Sequence, residues 1–293
     1  MNEIAAPVVH PFHHAATGTW SYVVADAAGG EAAVIDPVLD FDMASGRTAT
    51  TSAQALADCV RTHGYRVCWL LETHAHADHL SAAQWLKATH WPGVPVVIGE
   101  GIRAVQSRFR EVFDLGPGFA VDGSQFDHLF AADETFALGG IACRAIPVPG
   151  HTSDSNAYLI GDALFTGDSL FMPDGGTARC DFPGGSASTL YRSIRRLFAE
   201  LPDDTRVFVC HDYGPGGREP ACETSIGAQK RDNVHVHEGV DEAAFVATRE
   251  TRDASLAMPA LIIPSVQVNI RAGALPDPHG NGIRYLDLPL DAL

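Results

Sequence analysis

The sequence predicts an α/β fold layered around one core, on three observations. The N-terminal third alternates strand-like and helix-like patterns, residues 135–165 read as several short strands in succession, and helix and strand patterns return from Ser186 onward. The 293 residues allow one large or two modest domains, and a 46% hydrophobic content is enough for a sizeable core. We expect a single domain with a loop-rich appendage from about residue 214.

Ser21–Ala25 and Ala32–Ile35 are expected strands separated by a Gly29-Gly30 turn. From Ser52 to His63 the apolar Ala55, Leu56, Cys59 and Val60 fall at helical spacing, with Thr51 or Ser52 as N-cap. Val67–Leu71 is a short apolar run, expected as a buried strand ending at a His-rich loop. His79–Thr89 is expected to be helical, Val94–Ile98 a strand and Gly101–Phe113 a helix. Gly-Pro-Gly and Asp-Gly signals mark 116–127 as loop. Thr135–Leu138, Ile141–Val148, Asn156–Ile160 and Ala163–Phe165 follow as strands. Ser186–Leu201 is a helix pattern stopped by Pro202, and Arg206–Cys210 is a strand. Beyond Tyr213 only Asp241–Thr251 has helical spacing; Pro259, Pro264, Gly273, Pro276 and Gly280 punctuate the remainder.

The formal net charge of −16 opposes a phosphate backbone, so nucleic acid is not an expected partner. No apolar run is long enough to span a bilayer. The start, Met1 to Pro7, lacks a basic segment followed by an apolar stretch, so no secretory leader is expected. None of the six cysteines forms a C-x-x-C pair, and a reducing cytoplasm is the expected location.

The chemistry gathers after apolar strands. His74-x-His76 is followed directly by Asp78 and His79, between a strand and a helix pattern. Imidazole and carboxylate are ligands for zinc, iron and manganese, and a loop past a buried strand can aim several at one point. His151 follows Pro149-Gly150, Asp168 follows Phe165-Thr166-Gly167, and His211 follows Val209-Cys210. Each alone would be an ordinary surface or turn residue. Together they share one setting, the carboxyl end of an apolar strand, where clefts form in layered α/β folds.

The set Thr-His-Ala-His-Ala-Asp-His (73–79), Gly-His-Thr (150–152), Phe-Thr-Gly-Asp (165–168) and His-Asp-Tyr (211–213) resembles the metallo-β-lactamase superfamily. Residues 167–170, 177–182, 189–194, 224–227 and 230–233 are similar to its persulfide dioxygenase branch, which is related to glyoxalase II. Gly-His-Thr departs from many members in being followed by Ser153-Asp154-Ser155. The resemblance implies a four-layer αββα sandwich, one Fe(II) per chain held by His74, His151 and Asp168, and a homodimer. It implies glutathione persulfide and O₂ as substrates, with sulfite and glutathione as products. His76, Asp78, His79 and His211 would then either orient those ligands or complete a second metal site; the residue types fit both roles. Arg179 and Tyr213 are expected catalytic and substrate-holding residues, although Arg179 could instead pair internally with Asp181. Lys230 and Arg231 are further candidate substrate contacts, or a solvated surface pair. Cys180 is either redox-sensitive or a bystander. The rival activity is hydrolysis of a glutathione thioester at a zinc or dinuclear site.

Overall fold

The computed structural model describes residues 6–27 and 30–292. Met1–Ala5 and Gly29, which carried the leader and turn readings above, lie outside these residues. Strands β1 (Val8–His14), β2 (Thr19–Ala25) and β3 (Glu31–Ile35) open the chain, followed by β4 (Val38–Asp42), β5 (Arg47–Ala49), helix α1 (Thr51–His63) and β6 (Arg66–Leu71). Then come β7 (Leu80–Ser81), α2 (Ala83–Thr89), β8 (Val96–Gly99), α3 (Ile102–Val112) and β9 (His128–Phe130). The second half holds β10 (Thr135–Leu138), β11 (Ile141–Pro147), β12 (Asn156–Ile160), β13 (Ala163–Phe165), α4 (Ala187–Glu200), β14 (Arg206–Phe208) and β15 (Glu223–Ser225). Helices α5 (Ile226–Asp232), α6 (Glu242–Asp253) and α7 (Ile262–Asn269) complete it.

One six-stranded sheet has the order β1-β2-β3-β6-β8-β9, and a second the order β10-β11-β12-β13-β14-β15. The period-two alternation of each strand explains why they pack face to face. Tyr22, Val24, Ala33, Ile35 and Leu71 of the first sheet meet Cys143, Ala145, Tyr158, Ile160 and Phe165 of the second in one core. Their sequence neighbours Val23, Val34 and Leu70, and Val96 of β8, point the other way, into a layer with α1, α2, α3 and α7. Ile146, Ala157, Leu164 and Val207 likewise meet Leu190, Ile194 and Leu197 of α4 and Phe245 of α6. The result is the expected αββα order, with Pro11 lying in β1, an edge strand, as a residue without an amide proton should.

Several local expectations need correction. The helix expected over 79–89 starts later, because Leu80 and Ser81 pair with Leu39 and Val38 in a small sheet with β4 and β5. Helix α1 is not capped by its own Thr or Ser hydroxyl; the Asp40 carboxylate accepts from the Ser52 amide (3.0 Å) and hydroxyl (2.7 Å) instead. The tail beyond 213 carries three helices, α5, α6 and α7, rather than the one expected. Pro264 hid α7, yet it falls in the first turn, where a missing amide proton costs nothing.

Candidate metal centre

Strands β6, β11, β13 and β14 deliver His74, His151, Asp168 and His211 from their carboxyl ends to one rim of the sandwich. Glycine precedes two of these for steric reasons. Gly150 has φ 141°, and a Cβ there would lie 2.3 Å from the Leu190 backbone. At Gly167 (φ 51°) a Cβ would lie 2.8 Å from the Thr73 hydroxyl.

The seven residues form two groups, in each of which one candidate ligand atom per residue lies within 4.8 Å of the others. His74, His151 and Asp168 make the first; His76, Asp78, His79 and His211 make the second. Asp168 serves both sides: Oδ2 lies 3.8 Å from His74 Nε2 and 3.5 Å from His151 Nε2, while Oδ1 lies 3.4 Å from His211 Nε2. His211 Nε2 is also 3.2 Å from Asp78 Oδ2. His151 donates from Nδ1 to the Arg179 carbonyl at 2.7 Å, which leaves Nε2 lone-paired toward Asp168.

Burial, and then the neighbouring imidazoles, hold His74 and His76 well below the usual histidine range, so both are neutral and able to ligate. Burial also pulls His211 down, but the Asp168 and Asp78 carboxylates outweigh it and raise its pKa to about 10. Burial would raise Asp78, yet His211 and His79 hold it well below the carboxylate range.

Four residues that the sequence reading did not single out support this loop. Asp36, at the end of β3, accepts from the Thr73 amide (2.7 Å) and hydroxyl (2.9 Å), and its Oδ1 lies 3.0 Å from His76 Nε2. Its backbone is left-handed (φ 48°), a conformation that costs a non-glycine residue about 1 kcal/mol or more. Glu72 accepts from the Ser81 hydroxyl, and burial followed by Asp36 raises its pKa well above the carboxylate range. Asp154, part of the sequence departure after Gly-His-Thr, accepts from the Ala75 amide at 2.8 Å. Asn269, at the end of α7, donates to the carbonyls of His76 and His79 and accepts from the Ser81 amide, each at 2.8 Å. The only sequence signal for Asp36 is its strand-end position, shared with Asp168; Asn269 has no local signal.

A cavity of about 650 Å³ opens over Asp78, His151, Asp168 and His211. Tyr213 lines it, exposed and stacked on His211 with ring centres 5.8 Å apart, as do Phe171 and Phe182. Arg179 also lines it, but its guanidinium is committed to Asp181 (2.6 Å) and the Ala257 carbonyl (2.6 Å). The internal pairing is therefore realised, and Arg179 meets the centre through its backbone. Lys230 and Arg231 are not among the lining residues. Lys230 pairs with Asp203 at 2.6 Å, and Arg231 is exposed beside Asp232. Cys180 is buried, and burial pushes its thiol up to about 12, which suits a bystander.

The donor set fits a metal ion. His74 Nε2, His79 Nε2, His211 Nε2 and Asp168 Oδ1 are buried without a hydrogen-bond partner. Each such orphan costs about 1–3 kcal/mol, a cost that a cation shared among them would offset.

Comparison with known proteins agrees. The family model described as the metallo-beta-lactamase superfamily matches residues 15–211. A probable metallo-hydrolase of Burkholderia pseudomallei is 51% identical over 97% of this chain and 99% of its own. Glyoxylase B2 of Dictyostelium discoideum is 43% identical over 100% of this chain and 99% of its own. Human mitochondrial persulfide dioxygenase ETHE1 is 29% identical over 67% and 64% of the two chains. The crystal structure of ETHE1 from Myxococcus xanthus superposes with a TM-score of 0.71 at 29% identity, covering 91% of this chain and 100% of that one. With its strand-end ligands, its αββα layers and this match over most of its length, the chain belongs to the metallo-beta-lactamase superfamily.

Proposed function

We propose that this chain is a persulfide dioxygenase that oxidises glutathione persulfide with O₂ and water to sulfite and glutathione. The observation that carries the reading is the separate group formed by His74, His151 and Asp168, two imidazoles and a carboxylate of the kind that suits non-haem Fe(II). The resemblance to ETHE1 supports it. When bound, Fe(II) would supply open coordination positions and the redox activity that reaction of O₂ with a sulfur atom needs. The chain's own part is orientation. The Arg179 carbonyl fixes the His151 ring, and Thr73 Oγ1 lies 3.0 Å from His74 Nδ1. Phe171 and Phe182 give the cavity apolar walls, and Tyr213 offers a hydroxyl beside His211. Among the cavity's arginines, Arg249 is tied to Asp253 at 2.6 Å and Arg179 to Asp181, whereas Arg252 makes no ion pair among the described residues. Arg252 is the cation left for a glutathione carboxylate.

The second group, with Asp78, His79 and His211, favours a second reading, a glutathione thioester hydrolase with two metals, which the names of the relatives at 51% and 43% identity also support. Oxygen uptake by the Fe(II)-loaded protein with glutathione persulfide, followed by a sulfite assay, tests the two. Uptake matched by sulfite is expected. No uptake, with turnover of a lactoylglutathione thioester by the zinc-loaded protein, would overturn the dioxygenase.

A further inference from the structure

On the outer side of the first sheet, away from the centre, three further metal-competent side chains converge. Cys59 and His63 are one turn apart on α1, and His10 comes from the edge strand β1, against which α1 packs. One ligand atom from each lies within 4.8 Å of the other two. The helical i, i+4 spacing puts the thiol and the imidazole on one face. Cys59 Sγ lies 3.7 Å from His63 Nδ1. Two bonds of about 2.3 Å to sulfur and about 2.0 Å to nitrogen, opened at a tetrahedral angle, would separate those atoms by about 3.5 Å. The His10 and His63 rings are 4.5 Å apart, and Tyr65 stacks on His63 at 5.2 Å with an interplanar angle of 12°. The Tyr65 hydroxyl lies 3.1 Å from His10 Nε2 and steadies that ring, as partners of metal-bound histidines do. The bond that metal entry would displace is from His63 Nδ1 to the Cys59 carbonyl at 3.0 Å, at an exposed histidine where water can replace it.

We propose that His10, Cys59 and His63 form a second, independent site for a thiophilic divalent ion such as zinc. It has three protein ligands and a fourth position open to water. Its occupancy ties the edge strand β1 to α1, closing a loop of about fifty residues, and so stabilises that edge. Neither half of this depends on the activity proposed above, because none of the three residues belongs to the centre or its cavity.

The test uses the full chain with Zn(II) and Co(II) alone. After zinc loading and gel filtration, Cys59→Ser and His63→Gln should each carry one zinc per chain fewer than wild type. Zinc should also raise the melting temperature of wild type more than that of either variant. With Co(II), wild type should show a thiolate-to-cobalt charge-transfer band that Cys59→Ser lacks. His63 is exposed and its substitution leaves the core untouched, so at least one variant reports on a folded protein; far-ultraviolet circular dichroism matching wild type verifies this. Equal zinc content in wild type and His63→Gln, or a cobalt band that persists in Cys59→Ser, would overturn the site.

Discussion

The two ligand groups of the centre are built differently, although Asp168 touches both. His74, His151 and Asp168 arrive from three strand ends in both sheets, and their placement is a property of the sandwich. His76, Asp78 and His79 come from one loop, and the far end of the chain holds that loop through Asn269. The first group is therefore as rigid as the core, whereas the second depends on the tail. The same two residue types, His and Asp, are thus fixed in two ways, by strand ends and by a tail-held loop, with His211 joining the second group from a strand end.

The sharpest way to break the contrast is to delete one ligand from each group. His151→Ala should lose bound iron and lower oxygen uptake by more than about a hundredfold, while His79→Ala should retain iron and lose less. Equal iron loss in both variants, measured by metal analysis, would mean the groups act as one.

Acid should weaken the tail's attachment. His235 Nδ1 accepts from the Thr177 amide at 3.0 Å, and burial followed by Arg249 lowers its pKa to about 4. The folded form thus holds His235 neutral while the unfolded chain protonates it near its usual value. Its contribution is complete above about pH 6.5 and is lost as pH falls through about 4, up to roughly 3 kcal/mol. His235→Gln should flatten the slope of stability against pH in that window, as read from urea midpoints.

Asn269→Ala removes three buried hydrogen bonds and should cost about 2 kcal/mol, with greater disturbance of the His76–His79 loop than of His151. Nuclear magnetic resonance of the histidine rings would show which group moves. The smallest expected effect is that of Arg252→Ala: KM for glutathione persulfide about tenfold higher, with kcat unchanged, because a charged hydrogen bond to a remote carboxylate contributes equally to ground and transition states. An unchanged KM would remove Arg252 from the substrate site.

The difference between the two scaffolds also explains what the sequence could reveal. His74, His151, Asp168 and His211 were legible because an apolar strand precedes each and their residue types have few other uses in that setting. The strand patterns in 21–35 and 135–165 likewise foretold individual strands, whereas the facing sheets were implied only by the family resemblance. Asp36, Asp154 and Asn269 were not legible, because each acts through a hydrogen bond to residues distant in sequence, and Glu72 has no local signal beyond its place at the end of an apolar strand. Asn269 sits 193 residues from His76. Helix α7 escaped for a related reason: its residues are buried nearly all round, so no amphipathic period marks them. Of the candidate substrate contacts, Arg179 took the internal pairing with Asp181 that the sequence had offered as its alternative, whereas Lys230 found Asp203, 27 residues away, which no short-range pattern announces.

The clamp from Asn269 also imposes an order on biosynthesis. At about 5–20 residues per second, a ribosome that has finished His76 needs roughly 10–40 s to reach Asn269. During that interval the sandwich strands can pair and the first three ligands can meet, but the His76 and His79 carbonyls have no amide to receive. A nascent chain stalled before α7 would therefore present a half-assembled centre. Completion of the His76–His79 loop is a late event, timed by the emergence of a single side chain.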